Sequence, residues 1–391
     1  MKKKICFLTE SIFTIGGVQR VTAVIAKAMA ADYDVTILTF DKPESRNLAL
    51  YGLEQANLHF RFFAYPPAGR IERTLCRAYS GLYLKLQLHS QWSSALYGYS
   101  SFPPTLRKAL IRELRGGDYD AIIGVHAPLA GRLATMKGSL QGVKLIGWIH
   151  NSYEALYGQK YLYVGAVRQR HYVYQFRKLH RVVLLCRHDV SAYKAYDPAF
   201  SPIAIYNPLT LQPGPPSAGS SKRFLAVGRF SYQHKGFDLL IEAFRLFAQT
   251  NHDWTLDIVG EGPEEAMLRS MIAKYGLQSR ITIHPFTPHI QQYYSGAQVY
   301  VLSSRWEGMP LVLMEAMSHG LPVVSSNLPM CLEIMGSAAL YFKNGDIDDL
   351  ARQLDEATRI DWPLKSREAM HIVKKFDVDN IARQWKTLLE E

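Results

Sequence analysis

At 391 residues the chain is too long for one ordinary domain and suits two. Hydrophobic residues make up 48% and charged residues 20%, the balance of a soluble globular protein. The four cysteines, Cys6, Cys76, Cys186 and Cys331, stand far apart with no CxxC pair, which disfavours a disulfide framework or structural zinc and fits a reducing cytoplasm.

The net charge of +11 is lopsided. Residues 1–205 hold 27 Lys+Arg against 13 Asp+Glu, whereas residues 206–391 hold 18 against 21. An excess confined to one half points to an anionic ligand or surface met by that half. Anionic lipid headgroups qualify; nucleic acid is disfavoured, since no recognition motif accompanies the charge. No apolar run reaches the roughly 18 residues of a membrane helix. The expected location is therefore cytoplasmic, with peripheral contact on the inner face of the plasma membrane as the charge-led extension.

Residues 5–8 read as a first strand and not a signal peptide, because Glu10 interrupts the run and no small-residue cleavage site follows. Gly16-Gly17 and a helical pattern over 21–30 come next, the strand, glycine turn and helix of a Rossmann-like unit without its G-x-G-x-x-G fingerprint. Strands are expected at 35–40 and 58–63. From 69 to 98 the pattern is helical, basic and aromatic, with Arg70, Arg73, Arg77 and Lys85 among Leu75, Tyr79, Leu82, Tyr83, Leu86 and Trp92; a second basic helix follows. This is either an amphipathic surface for a membrane or a helix pair with a solvated basic face, and the charge bias favours the first. Buried strands at 119–125 and 143–149 end at His126 and at His150-Asn151, on the sheet edge where open α/β folds bind ligands. After a basic-aromatic helix over 164–179 and strands at 181–185 and 204–206, the Pro/Gly/Ser-rich stretch 207–222 reads as a linker. It divides a first domain, 1–206, from a second, 223–375.

The second half repeats the strand–helix alternation of a parallel doubly wound sheet. Strands are expected at 223–227, 254–259, 281–284, 299–302 and 322–325. Gly260-x-Gly262 lacks a third glycine and no G-x-x-x-x-G-K-[ST] occurs, which disfavours NAD, FAD and P-loop chemistry. Arg229 and Lys235 share one loop at a strand's carboxyl end, where two cations suit a diphosphate. After the strand at 299–302, Glu307 lies in a loop and Glu315 about one turn inside a helix opening at Pro310-Leu311. A helix N-terminus attracts phosphate, and flanking carboxylates accept hydroxyls. Taken alone, this stretch is equally a helix with one surface Glu and one loop Glu.

The ordered set resembles the retaining glycosyltransferases of family 4, which have the GT-B fold: two Rossmann-like α/β domains facing a central cleft. The resemblance rests on Gly16-Gly17-Val18, His126, Gly228-Arg229, Lys235-Gly236, Gly260-x-Gly262-Pro263 and Glu307 through Glu315, the family's E-x7-E motif. It implies transfer of a sugar from a nucleotide-sugar, UDP-linked in the favoured reading, to a saccharide or lipid-linked acceptor in surface polysaccharide or glycolipid synthesis. It also implies catalytic roles for His126, Glu307, Arg229 and Lys235. Arg229 and Lys235 would hold the diphosphate, Glu307 the donor sugar and Glu315 the ribose. Gly16, Gly17, Gly260, Phe286, Gly308, Met309, Leu311 and Val312 would complete the nucleotide-sugar site, and His150 and Asn151 would serve the acceptor. No metal or other cofactor is implied. A final helix, about 376–391, would cross back to the first domain. Two departures stand out: Met309-Pro310 where many members have an aromatic and then glycine, and Cys186 where many have serine. A nucleotide-sugar epimerase and a non-catalytic nucleotide-sugar scaffold are the alternatives, disfavoured by the motif fit and by the retained charged residues.

Overall fold

The computed structural model describes residues 2–88, 90–158, 164–231 and 234–391. The chain divides into two compact units. Unit 1 is Met1–Pro208 with Val378–Glu391, and unit 2 is Leu209–Asp377.

Unit 1 is built on seven strands: β1 (Lys4–Thr9), β2 (Asp34–Thr39), β3 (Leu58–Phe62), β4 (Ala121–Val125), β5 (Lys144–Trp148), β6 (Arg181–Leu184) and β7 (Ile203–Ala204). They form one parallel sheet in the order β3-β2-β1-β4-β5-β6-β7. β4 is apolar and buried along its whole length, and β1 and β5 are buried from their second residue onward, as a sheet covered on both faces requires. Gly124 and Gly147 sit side by side in register; a Cβ on Gly124 would lie 3.1 Å from the Ala130 backbone, so glycine lets the Ala127–Thr135 helix close onto the sheet. The last helix, Val378–Glu390, belongs to this unit. Its fully buried Trp385 packs on Trp148 at 4.8 Å between ring centroids, and Tyr33 donates to Glu390.

Unit 2 has six strands, β8 (Arg223–Val227), β9 (Thr255–Val259), β10 (Ile281–His284), β11 (Val299–Leu302), β12 (Val323–Ser326) and β13 (Leu340–Phe342). All are parallel, in the order β10-β9-β8-β11-β12-β13. Its core gathers Phe224, Phe230, Phe237, Phe244, Phe247 and Trp254 against the sheet. The Pro/Gly/Ser-rich stretch is fastened down over part of its length. Ser217 donates its N–H to the His319 carbonyl and its hydroxyl to the Ala297 carbonyl, and Ser295 donates to the Pro215 carbonyl. From residue 209 onward it is the first part of unit 2.

Candidate functional site

Strand order in unit 2 reverses between β8 and β11. The crevice outside the carboxyl ends at such a reversal is where open α/β sheets bind ligands. The loops after β8 and β11 meet there and are tied together. Ser303 Oγ donates to the Lys235 carbonyl (2.8 Å), the Arg305 N–H to the His234 carbonyl (2.8 Å), and the Arg305 guanidinium to both carboxylate oxygens of Asp238 (2.9 and 2.6 Å). Ser326, ending β12, donates to the Ser304 carbonyl, and Asn344, after β13, to the Arg305 carbonyl, each at 2.8 Å. Four strand ends therefore hold the loop that carries Glu307.

Glu307 is 8% exposed. One carboxylate oxygen accepts from Lys235 Nζ and from Ser304 Oγ, both at 2.6 Å, and the other lies 3.7 Å from His234 Nε2. Burial would raise its pKa; the Lys235 ammonium and the His234 ring outweigh that and hold the carboxyl well below the usual range. The His234 ring stacks on Trp306, with centroids 5.2 Å apart and planes 8° from parallel. Gly236 has φ +64°, and a Cβ there would lie 2.1 Å from the Ser303 carbonyl oxygen, so glycine is what allows the two loops this close.

Pro310 caps the Leu311–Ser318 helix from outside, in extended conformation, so its missing N–H costs no helical bond. The N–H groups of Leu311 and Val312 are in the first turn, where no intrahelical acceptor exists. Glu315 is buried in this helix and accepts from the Tyr294 hydroxyl at 2.9 Å. The structure thus gathers Lys235, Glu307, Gly308, Leu311, Val312 and Glu315 from two loops and one helix. Arg229 is exposed on the β8 loop and makes no ion pair among the described residues; Tyr232 and Gln233 of that loop lie outside them. Gly260 serves backbone packing: a Cβ there would fall 1.9 Å from the Gly228 carbonyl oxygen. Phe286 is 45% exposed after edge strand β10 and has no part in the hydrogen-bonded cluster.

Unit 1 reverses its strand order between β1 and β4. His126, just after β4, has φ +74° and ψ 154°, a conformation costing a non-glycine residue about 1–3 kcal/mol. Its ring lies 5.3 Å from that of His150, and Asn151 hydrogen-bonds to it. Burial lowers the pKa of His126, against the pull of Glu10 and Asn151; burial and the neighbouring His126 push His150 well down. Both imidazoles are therefore neutral at neutral pH. In the glycine loop expected to approach a ligand, the Gly16 N–H donates to the Tyr51 hydroxyl at 2.9 Å. Asp41 fixes the preceding loop by accepting from Ser11 Oγ and from the N–H groups of Ile12 and Phe13.

Among the described residues no group of three or more His, Cys, Asp or Glu could hold a metal ion. Sequence reading missed His234, Ser304, Trp306, Asp238 and Tyr294. Adjacency to Lys235 and Glu307 was a signal for the first three; Asp238 and Tyr294 gave none.

Two family models match: "Glycosyltransferase Family 4" over residues 15–212, just over half of the chain, and "Glycosyl transferases group 1" over residues 211–374. The chain belongs to glycosyltransferase family 4. An uncharacterized glycosyltransferase of Haemophilus influenzae is 31% identical over 198 residues, 48% of this chain and 54% of that one. The amylovoran biosynthesis glycosyltransferase AmsD of Erwinia amylovora is 38% identical over 108 residues, 28% of this chain and 30% of that one. The chain thus spans about half or less of these curated relatives. The structure of Anabaena HepE in complex with UDP superimposes with a TM-score of 0.74 over 99% of both chains at 18% identity, which gives this family member the GT-B fold class.

Proposed function

We propose that the chain is a retaining glycosyltransferase that moves a sugar from a nucleotide-diphosphate sugar, UDP-linked in the favoured reading, to a glycan or lipid-linked saccharide of a surface polysaccharide or glycolipid. The observation that carries this is the buried Lys235–Glu307–Ser304 cluster beside the N-terminus of the Leu311–Ser318 helix, at the strand-order reversal. In this reading Arg229, Lys235 and the N–H groups of Leu311 and Val312 meet the diphosphate, whose charge grows as the anomeric C–O bond breaks. Glu307, kept anionic, accepts hydroxyls of the donor sugar, and Glu315 those of the ribose. The acceptor oxygen bonds to the anomeric carbon from the leaving group's face and passes its proton to the departing phosphate. Neutral His126 is taken as a hydrogen-bonding group, and His150 and Asn151 as acceptor-side residues. Support for UDP comes from HepE, and for polysaccharide synthesis from the name of AmsD.

A thermal-shift screen with UDP, GDP, ADP and their sugars identifies the donor, because a ligand bound by the native state alone raises its melting point. Glu307→Ala and Lys235→Ala are expected to fold and to transfer about 10²–10³-fold more slowly. Near-normal transfer by both would overturn the assignment. An epimerised sugar formed without acceptor would point to an epimerase, and binding without turnover to a scaffold.

A further inference from the structure

Between β3 and β4, unit 1 carries three successive helices: Arg70–Leu86, Gln91–Ser101 and Pro104–Arg115. The first two pack through a seam of tyrosine and serine. The Tyr79 hydroxyl donates to the Ser93 carbonyl at 3.0 Å, Tyr83 bonds the Ser94 hydroxyl at 2.9 Å, and Ser80 bonds Ser100 at 2.9 Å. The Tyr83 ring stacks on Tyr97 at 4.2 Å. A surface helix of a globular protein ordinarily turns its leucines inward. Here they point out. Ile71, Leu75, Leu82 and Leu86 are 79%, 65%, 48% and 57% exposed, and Trp92, Leu96 and Tyr99 are 74%, 38% and 51% exposed.

At about 100° per residue, each set falls in a narrow arc roughly a quarter turn from the seam. The pairings Tyr83–Ser94 and Ser80–Ser100 run in opposite senses, so the helices are antiparallel and both stripes face the same side. Exposed apolar surface of this extent marks an interaction site.

Charge selects the occupant. Residues 70–115 contain eight Lys or Arg, of which Arg107 is buried and donates to the Tyr99 and Phe102 carbonyls, and two acidic residues, Glu72 and Glu113. Both acids are engaged internally, Glu72 with Thr105 and Glu113 with Arg61. A second copy would set like charge against like; an anionic lipid surface attracts. Lys85 borders the stripe, while Arg70, Arg73 and Arg77 lie on the far flank of their helix and add longer-range attraction. Beside the start of the second helix, a cavity of about 360 Å³ is lined by Ser90, Gln91, Ser94, Arg170, Arg177 and Asp197; Asp197 pairs with Arg177 at 3.1 Å, which leaves Arg170 as the cation there for a phosphate-bearing headgroup.

We infer that the outer face of this helical hairpin docks on an anionic lipid bilayer, lying in the interfacial plane with Trp92 and the leucines among the headgroups. Nothing in this depends on the sugar chemistry of unit 2. The full chain should co-sediment with phosphatidylglycerol–phosphatidylcholine vesicles, less so at high salt, and not with phosphatidylcholine alone. Leu75→Ser/Leu82→Ser/Trp92→Ser, all at exposed positions, should keep its melting temperature and lose about tenfold or more in vesicle affinity. Three results would overturn the inference: no sedimentation of the wild type at low salt, unchanged binding by the triple variant, or a wild-type dimer in light scattering that the triple variant converts to monomer.

Discussion

Glu307 is a carboxylate kept charged inside the protein, and the cost of its burial is met by three named neighbours. Its pKa is depressed, so its stabilising contribution is full above the ordinary glutamate value of 4.5 and is lost as pH falls toward the lowered value. The difference in urea-unfolding midpoint between wild type and Glu307→Gln should therefore shrink as pH falls from about 7 to about 3; a difference that grows would contradict the Lys235 pairing. Glu307, Glu315 and Lys235 were legible because each sits at a fixed offset in a motif. His234 and Trp306 offer only their adjacency to Lys235 and Glu307, because a stack across two loops is created by the fold. Cys186 shows the opposite case. It stands where many family members have serine, and its Sγ accepts from the Asp189 N–H at 3.4 Å, capping the Arg187–Tyr196 helix as a serine hydroxyl would.

At the scale of elements, the parallel strands were legible because a run buried on both faces is apolar along its length. β8, β10 and β11 fall at the very residues expected. The region after β12 gives no such signal: helices Pro329–Met335, Ile347–Ala357 and Trp362–Val373 flank a three-residue strand too short to show a period. The basic-aromatic region was read as helical, but composition did not tell which face turned outward; tyrosine and serine fill the seam and leucine the surface. Glycines told more than their motif suggested. Gly236→Ala places a Cβ against the Ser303 carbonyl at positive φ, so a loss of about 3 kcal/mol is expected. The check is a lowered melting temperature with weakened nucleotide binding; an unchanged melting temperature would mean the two loops are not locked as described.

Across the whole molecule, the described histidines that burial pushes down all lie in unit 1. Burial lowers the pKa of His126 and His150, and pushes His171 down to about 4. For each, the unfolded chain takes up a proton first, so stability present above the ordinary value of 6.5 is lost as pH falls through it. His180 is lowered by burial as well, so Asp189, raised to about 6 by burial, opposes this over the lower part of the range as one group against four. Calorimetry between about pH 7 and 5 should show one of two transitions moving to lower temperature, and His150→Gln should reduce that movement. A shift unaffected by this substitution would place the acid sensitivity elsewhere.

The route of the chain through the two units has a consequence for synthesis. The polypeptide leaves unit 1 at Pro208 and re-enters it at Val378, bringing Trp385 to rest against Trp148. All of unit 2 is translated before that ring exists. A ribosome making this protein therefore extrudes a seven-stranded sheet with an unfilled hole, completes and folds the second unit, and only then supplies the plug. The first domain to emerge is the last to finish, so the nascent sheet is the part of this protein most in need of protection from other chains.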